Sequence, residues 1–198
     1  MTDRKSTHFV LLLLLIFLAL STGLLMHVPD HTVQAAPQDT IVRCEPASIA
    51  SDFTTPASFK IYVENVSEMN AADVRMDFDT SIVHIQDADP DMPNTQIEIL
   101  DEFLAPDFVV RDWADNSEGT IWYANTQVNP TPPVSGSGAL ARVTLLPQKA
   151  GKFTMHFTHN ELVRGNGTEI PSTAQDCIVL FYDPNQLEFG YLPVVLTQ

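Results

Sequence analysis

Apolar and polar residues alternate strictly along two runs in the first half of the chain, residues 59–64 (FKIYVE) and 73–79 (DVRMDFD). A period of two places successive side chains on opposite faces of a strand. Each run therefore predicts a strand with one buried and one solvent-exposed face. The polar segment between the runs is expected to form a turn.

Further short apolar segments follow the same logic, and each is bounded by Gly, Pro, Asn or Ser. They cover residues 40–44, 82–85, 96–104, 108–113, 120–125, 139–146, 152–158, 161–164 and 176–182. No segment after the first 35 residues keeps a helical period over three turns. Many short strands with regular turn signals predict an all-β sandwich.

The first 35 residues have the pattern of a targeting segment. Arg4 and Lys5 precede a nearly continuous apolar run at residues 9–26, and residues 33–35 (VQA) offer small side chains to a signal peptidase. We expect a signal peptide cleaved after Ala35, with an uncleaved membrane anchor as the alternative, because the apolar run is near the lower limit for crossing a bilayer. Both interpretations predict a domain that lies outside the cell or at its surface.

The net charge of the chain is −15. In the leader, Asp3 and Asp30 offset Arg4 and Lys5, so the whole acidic excess belongs to the remaining residues. A strongly acidic surface repels phosphate groups. Nucleic acid and anionic membrane are therefore not expected as partners.

Two cysteines, Cys44 and Cys177, lie near the two ends of the predicted domain, residues 37–184. In an exported protein a lone pair of cysteines predicts a disulfide, and two free buried thiols are the alternative. Residues 185–198 form an apolar tail that is too short to span a membrane. The tail is either an added strand or packed segment, or a sorting signal.

Three charged residues, Asp73, Arg75 and Asp77, share one face of their predicted strand. They form either an ordinary solvated face or a contact surface. Trp122 points outward if Ile121 and Tyr123 point inward. An exposed tryptophan is a common anchor for protein partners or sugar rings, and burial under a loop is the alternative.

An acidic stretch provides weak candidate ligands for a metal ion. Asp87, Asp89, Asp91 and Glu98 have a spacing close to that of a calcium loop, but Met92 stands where such a loop needs glycine. A solvated acidic turn is the favoured interpretation, so neither a metal site nor any other cofactor is predicted.

The sequence contains no recognisable catalytic motif. After the leader the only histidines are His84, His156 and His159, and none has the spacing of a zinc or nucleophile motif. The segment at residues 136–138 (GSG) lacks the flanking pattern of a nucleophile elbow and is expected to be a turn. Carboxylates are abundant, but nothing places two of them in one cleft. A non-catalytic protein is predicted, with a glycoside hydrolase as the least favoured alternative.

An ordered set of segments resembles the cohesin domain, the receptor module of cellulosome scaffoldins. The segments are residues 59–65, 71–79, 119–124, 137–143, 150–151 and 166–171, and the resemblance covers residues 40–182. It implies a jelly-roll sandwich of about nine strands, related to carbohydrate-binding modules.

The resemblance also implies a function: capture of a partner protein on one sheet face. In cohesins the partner is a dockerin, a small calcium-loaded helical domain, and Asp73 matches an aspartate of that face. Ala71 stands where the family often has Asn, and Asn125 where it often has an acidic residue. The predicted contact residues are Asp73, Arg75, Asp77, Trp122 and Asn125. The alternative is direct polysaccharide binding through exposed aromatic residues, and both fit extracellular polysaccharide degradation or adhesion.

Overall fold

A computed structural model describes residues 38–186 of the chain. The predicted leader and nearly all of the apolar tail lie outside the described residues, so their roles stay predictions. Within residues 38–186 no helix is long and apolar enough to cross a membrane.

The described chain is built from strands, which confirms the all-β prediction. The strands are β1 Thr40–Glu45, β2 Ser48–Asp52, β3 Ala57–Asp77, β4 Val83–Ile85, β5 Thr95–Gln96, β6 Glu98–Ile99, β7 Phe108–Asp115, β8 Thr120–Thr126, β9 Val134–Pro147, β10 Gly151–Arg164, β11 Ser172–Gln175 and β12 Cys177–Tyr182. The count exceeds the nine or so that the resemblance implies. Two strands, β2 and β11, lie outside the segments predicted from the sequence, and the predicted strand at residues 96–104 contributes only the short strand β6 and the end of β5.

The strands form a sandwich whose two layers share β3. The front sheet has the order β2-β12-β10-β3-β8-β7-β5. The back sheet consists of β11, β1, β3 and β9, with β4 and β6 paired to β9. The first half of β3 pairs with β1 and β9, and its second half pairs with β10 and β8.

The expected turn between the two alternating runs is wrong, because β3 is a single strand of 21 residues. The register with β9 shifts twice within the polar segment. Asn65 and Glu68 take left-handed conformations there, each with φ of 56°. Their amides donate to Ser137 Oγ at 3.0 Å and Ser135 Oγ at 2.9 Å. These bulges let β3 bend from one sheet to the other without breaking.

Two other predictions of strand boundaries are also wrong. The predicted strands at residues 152–158 and 161–164 are one strand, β10, with a register shift between Phe157 and His159. The predicted strand at residues 96–104 is mostly irregular. Ile97 donates to Asp112 O on β7, and Leu100 donates to Leu140 O on β9. This segment therefore crosses between strands and cannot follow either of them for long.

The core lies between the two layers and follows the predicted alternation. The inward residues of both runs in β3 are buried: Phe59, Ile61, Val63, Val74, Met76 and, just after the strand, Phe78. Cys44 on β1 and Cys177 on β12 form the predicted disulfide, with a Cα–Cα distance of 5.8 Å. Both sulfurs are fully buried. The disulfide joins the back sheet to the front sheet near the two ends of the domain.

Candidate functional site

The outward face of β10, β3, β8 and β7, which we call the front face, carries most of the predicted contact residues. Because Val74 and Met76 are buried, Asp73, Arg75 and Asp77 all point outward from β3. The register places Trp122 of β8 directly opposite Arg75.

Asp73, Arg75 and Trp122 are held together by polar contacts. Trp122 Nε1 donates to Asp73 Oδ1 at 2.9 Å. Arg75 donates to both carboxylate oxygens of Asp73, from Nε at 3.2 Å and from Nη2 at 3.1 Å. The hydrogen bond to Asp73 raises the pKa of Arg75 further, so the guanidinium stays charged. We call these three residues the Trp122 cluster.

The indole ring of Trp122 already has neighbours on the front face. The guanidinium carbon of Arg75 lies 4.2 Å from the ring centroid, and that of Arg111 lies 5.1 Å away. Trp113 of β7 is 6.4 Å away between ring centroids, at an interplanar angle of 56°. The two tryptophans therefore do not form a flat open platform.

The side chain of Asn125 points inward, which corrects its prediction as a contact residue, although the residue borders a depression on the front face. It shares the inward side of β8 with Ile121 and Tyr123, and it is only 2% exposed. Its Nδ2 donates to Ala105 O at 3.3 Å. Strand alternation already places residues 121, 123 and 125 on one side. Burial raises the pKa of Tyr123, and the neighbouring Asn125 side chain offsets this only in part.

A histidine–carboxylate pair lies at one end of the front face. His156 Nδ1 is 2.6 Å from Asp176 Oδ2, and Asp176 Oδ1 accepts the amide of Phe157 at 2.9 Å. The hydrogen bond and the charge of Asp176 raise the pKa of His156. Across the sheet His156 faces Asp77. This pair was not found from the sequence, because no spacing rule connects residues 156 and 176.

A shallow depression of about 230 Å³ lies beside the Trp122 cluster. Its apolar lining includes Ala71, Val110, Ala124 and Val163, and its acidic lining consists of Asp73 and Glu161. Sequence reasoning missed this depression, although alternation alone puts Ala71 on the same side as Asp73. The missing information was the pairing between strands, which brings β10, β3, β8 and β7 together.

The apolar lining continues into an exposed apolar edge. Phe108 at the start of β7 is 59% exposed, and Val109, Val110 and Val128 are exposed beside it. Exposed apolar groups next to a charged cluster are typical of surfaces that bind another molecule.

Three of the four weak calcium candidates, Asp87, Asp89 and Glu98, are engaged in other contacts. Asp87 Oδ1 accepts the amides of Asp89 and Gln96, and Glu98 pairs with Arg142 at 2.7 Å. Residues 38–186 contain no group of three or more His, Cys, Asp or Glu side chains placed to hold a metal ion. The stretch at residues 87–91 is an acidic turn whose carboxylates cap backbone amides.

The outward face of the back sheet is dominated by ion pairs. Its basic residues pair with carboxylates on the same face, in the pairs Arg43–Glu64, Arg43–Glu45, Arg142–Glu98 and Lys60–Glu102. The front face also pairs a basic residue with a carboxylate, Arg75 with Asp73. It adds two neighbouring tryptophan rings, the depression and the exposed apolar edge at Phe108. The front face is therefore the better candidate for binding.

No family model matches the chain, and no curated protein matches it in sequence. Solved structures do match in fold. A type I cohesin–dockerin complex from Clostridium thermocellum is 8% identical with a TM-score of 0.58, covering 73% of this chain and 100% of the other.

Two further matches come from cohesins of different kinds. A type II cohesin domain of Acetivibrio cellulolyticus is 12% identical with a TM-score of 0.57, covering 73% of this chain and 95% of the other. A non-cellulosomal cohesin from the archaeon Archaeoglobus fulgidus is 10% identical with a TM-score of 0.56, covering 74% and 93%. The fold of residues 38–186 is therefore cohesin-like.

Proposed function

We propose that this chain is a non-catalytic module that binds a partner protein on its front face, and that a dockerin domain is the first partner to test. The observation that supports this proposal best is the Trp122 cluster, a charged and aromatic group fixed on an open sheet face. Tryptophan and arginine are enriched among the residues that contribute most to protein–protein binding.

The Trp122 cluster is ordered before any partner arrives. Asp73 accepts from Trp122 and from Arg75, and the Arg75 guanidinium packs against the indole ring. A contact group that is already fixed loses little conformational entropy on binding. The exposed apolar edge at Phe108 adds surface that a partner would remove from water.

Three arguments favour a dockerin as the first partner to test. The fold is cohesin-like, and one of the similar structures is a cohesin in complex with a dockerin. Asp73 matches an aspartate that the family resemblance places on the binding face.

We propose that the module acts outside the cell or at its surface, in assembly for polysaccharide degradation or adhesion, because of the leader pattern and the Cys44–Cys177 disulfide.

Direct polysaccharide binding is less well supported by the geometry. Sugar rings stack on open, flat aromatic surfaces, whereas the ring of Trp122 lies close to Arg75 and Arg111 and is tilted against Trp113. This alternative is tested in the same experiment.

The test measures binding of residues 37–184 to a panel of calcium-loaded dockerins and to insoluble glycans. We expect at least one dockerin to bind, and Asp73→Asn and Trp122→Phe each to weaken it by roughly tenfold. Trp122→Phe keeps an aromatic ring but removes the donor to Asp73. The matched control is Glu102→Gln, which removes one carboxylate charge beside the back sheet, where Glu102 pairs with Lys60 of β3.

Three results would contradict the proposal. Binding that is equally strong in Asp73→Asn, Trp122→Phe and Glu102→Gln would exclude the front face. Binding to glycans but to no dockerin would favour the carbohydrate alternative. Hydrolysis of glycosides by the purified domain would show that the protein is an enzyme.

A further inference from the structure

We propose that the depression beside the Trp122 cluster receives a lysine side chain of the partner protein. This inference rests on the proposed function, because it assigns a chemical preference to one part of the front face. A partner that binds the front face would therefore present a lysine side chain opposite this depression.

The shape of the depression follows from the sizes of four side chains. The central strands β3 and β8 present Ala71 and Ala124, whereas the flanking strands β10 and β7 present Val163 and Val110. Small residues between larger ones leave a hollow with an aliphatic surface. A lysine covers such a surface with its four-carbon stem and keeps its ammonium group at the polar edge.

The polar edge of the depression supplies the opposite charge. Glu161 of β10 lies directly across from Asp73 of β3. Both oxygens of Asp73 already accept hydrogen bonds from the Trp122 cluster. Glu161 Oε2 lies 3.7 Å from His159 Nε2, and its charge helps to raise the pKa of Arg75, whose guanidinium bonds to Asp73 instead. The carboxylate of Glu161 is therefore the better placed of the two to receive an added cation.

The geometry favours lysine over arginine. A guanidinium is planar and binds best to a carboxylate through two parallel hydrogen bonds, whereas an ammonium is a compact charge that suits a single acceptor. The depression has one available carboxylate at the edge of an aliphatic surface. A purely apolar side chain would fill the hollow but would remove Glu161 from water without a partner.

A small probe tests the site without any protein partner. The probe is Nα-acetyl-lysine methylamide, titrated into the ¹⁵N-labelled domain while the backbone amides of Ala71, Ala124 and Val163 are followed by NMR. We expect saturable shifts at these amides, with a Kd on the order of millimolar. Nα-acetyl-norleucine methylamide, which has the stem without the ammonium, should bind about threefold to fivefold more weakly.

Two variants test whether the NMR shift changes depend on the charge of Glu161. Glu161→Gln should weaken binding of the lysine probe by about threefold to fivefold, and Glu102→Gln, beside the back sheet, should leave it unchanged. Equal binding of the lysine and norleucine probes would overturn the inference. Lysine shifts that are unaffected by Glu161→Gln, or no saturable shifts at these amides, would also overturn it.

The outcome is separable from that of the proposed function. If a dockerin binds and Asp73→Asn weakens it while the lysine probe fails, only the lysine site is lost. If the lysine probe binds through Glu161 but no protein partner is found, the dockerin proposal fails while the site remains.

Discussion

His156 and Asp176 stabilise each other in their charged forms. The hydrogen bond and the charge of Asp176 raise the pKa of His156. Burial of Asp176 acts to raise its pKa, but the amide of Phe157 and the imidazole of His156 outweigh burial, so that the pKa is lowered overall. The pair ties the middle of β10 to the residue between β11 and β12. Its contribution to stability must therefore depend on pH.

The sign of this pH dependence follows from the directions of the two pKa shifts. The contribution of His156 is complete below its ordinary pKa of 6.5 and is lost as the pH rises through the raised value. The contribution of Asp176 is complete above its ordinary pKa of 3.8 and is lost as the pH falls through the lowered value. Both are present together between these two ordinary values.

We expect His156→Gln to lower the melting temperature more at pH 5 than at pH 8. Thermal unfolding followed by circular dichroism at both values measures the difference between wild type and variant. His84→Gln, on β4, is the control, because His84 makes no such pair with a carboxylate within residues 38–186. A difference that stays constant or increases at pH 8 would show that the pair does not act through charge.

At the residue scale, alternation determines which side of a strand a side chain occupies. It placed Asp73, Arg75 and Asp77 together and Trp122 outward, and the structure agrees. The same rule puts the side chain of Asn125 inward. Strand alternation and the family resemblance therefore give opposite predictions for this residue, and alternation is correct. Contacts between strands, such as Trp122 with Asp73 or His156 with Asp176, depend on register. One sequence does not reveal register.

At the element scale, the turn between β7 and β8 helps to set the position of Trp113 against Trp122. Gly119 has a φ of 73° in this turn, its amide donates to Asp115 O, and its carbonyl accepts from Phe78. A Cβ at this position would lie 2.4 Å from Phe78 O. Both the left-handed backbone and the close approach therefore require glycine.

We predict that Gly119→Ala lowers the free energy of unfolding by about 2–4 kcal/mol, from backbone strain and steric overlap together. Gly167→Ala is a matched control, because Gly167 has a φ of 82° but a Cβ there would meet no atom within 4 Å. That variant should lose only about 1 kcal/mol. Urea unfolding curves measure both losses, and equal losses would show that the contact with Phe78 is unimportant.

The strands themselves could be predicted only in part. Clear alternation predicts which side chains of β3 and β8 point inward. However, the polar segment of β3 looked like a turn because its bulges interrupt the period of two. The segment at residues 96–104 looked like a strand because apolar residues recur along it, yet its amides bond to two different strands. Continuity of a strand depends on its neighbours, and local pattern does not contain that information.

At the scale of the whole molecule, the sandwich and its disulfide were predictable from short strands and two cysteines. The distinction between the front face and the back sheet was not. The back sheet pairs its basic residues with carboxylates that are distant in sequence, such as Arg43 with Glu64 and Arg142 with Glu98. Net charge alone does not distinguish the two faces, so the candidate binding face can be identified only once the pairing of the strands is known.

The Cys44–Cys177 disulfide closes a loop with a sequence separation of 133 residues between the back sheet and the front sheet. Closing a loop of this length restricts the unfolded chain and should stabilise the fold by about 4–5 kcal/mol in the chain-entropy model. Reduced wild type should lose this amount in urea unfolding relative to oxidised wild type.

The double variant Cys44→Ala/Cys177→Ala separates the cross-link from packing. Both cysteines are fully buried, so the variant loses the cross-link and also leaves space where two sulfurs packed. It should therefore be somewhat less stable than reduced wild type, and it should not respond to reductant. If oxidised and reduced wild type unfold at the same urea concentration, the disulfide does not stabilise the fold.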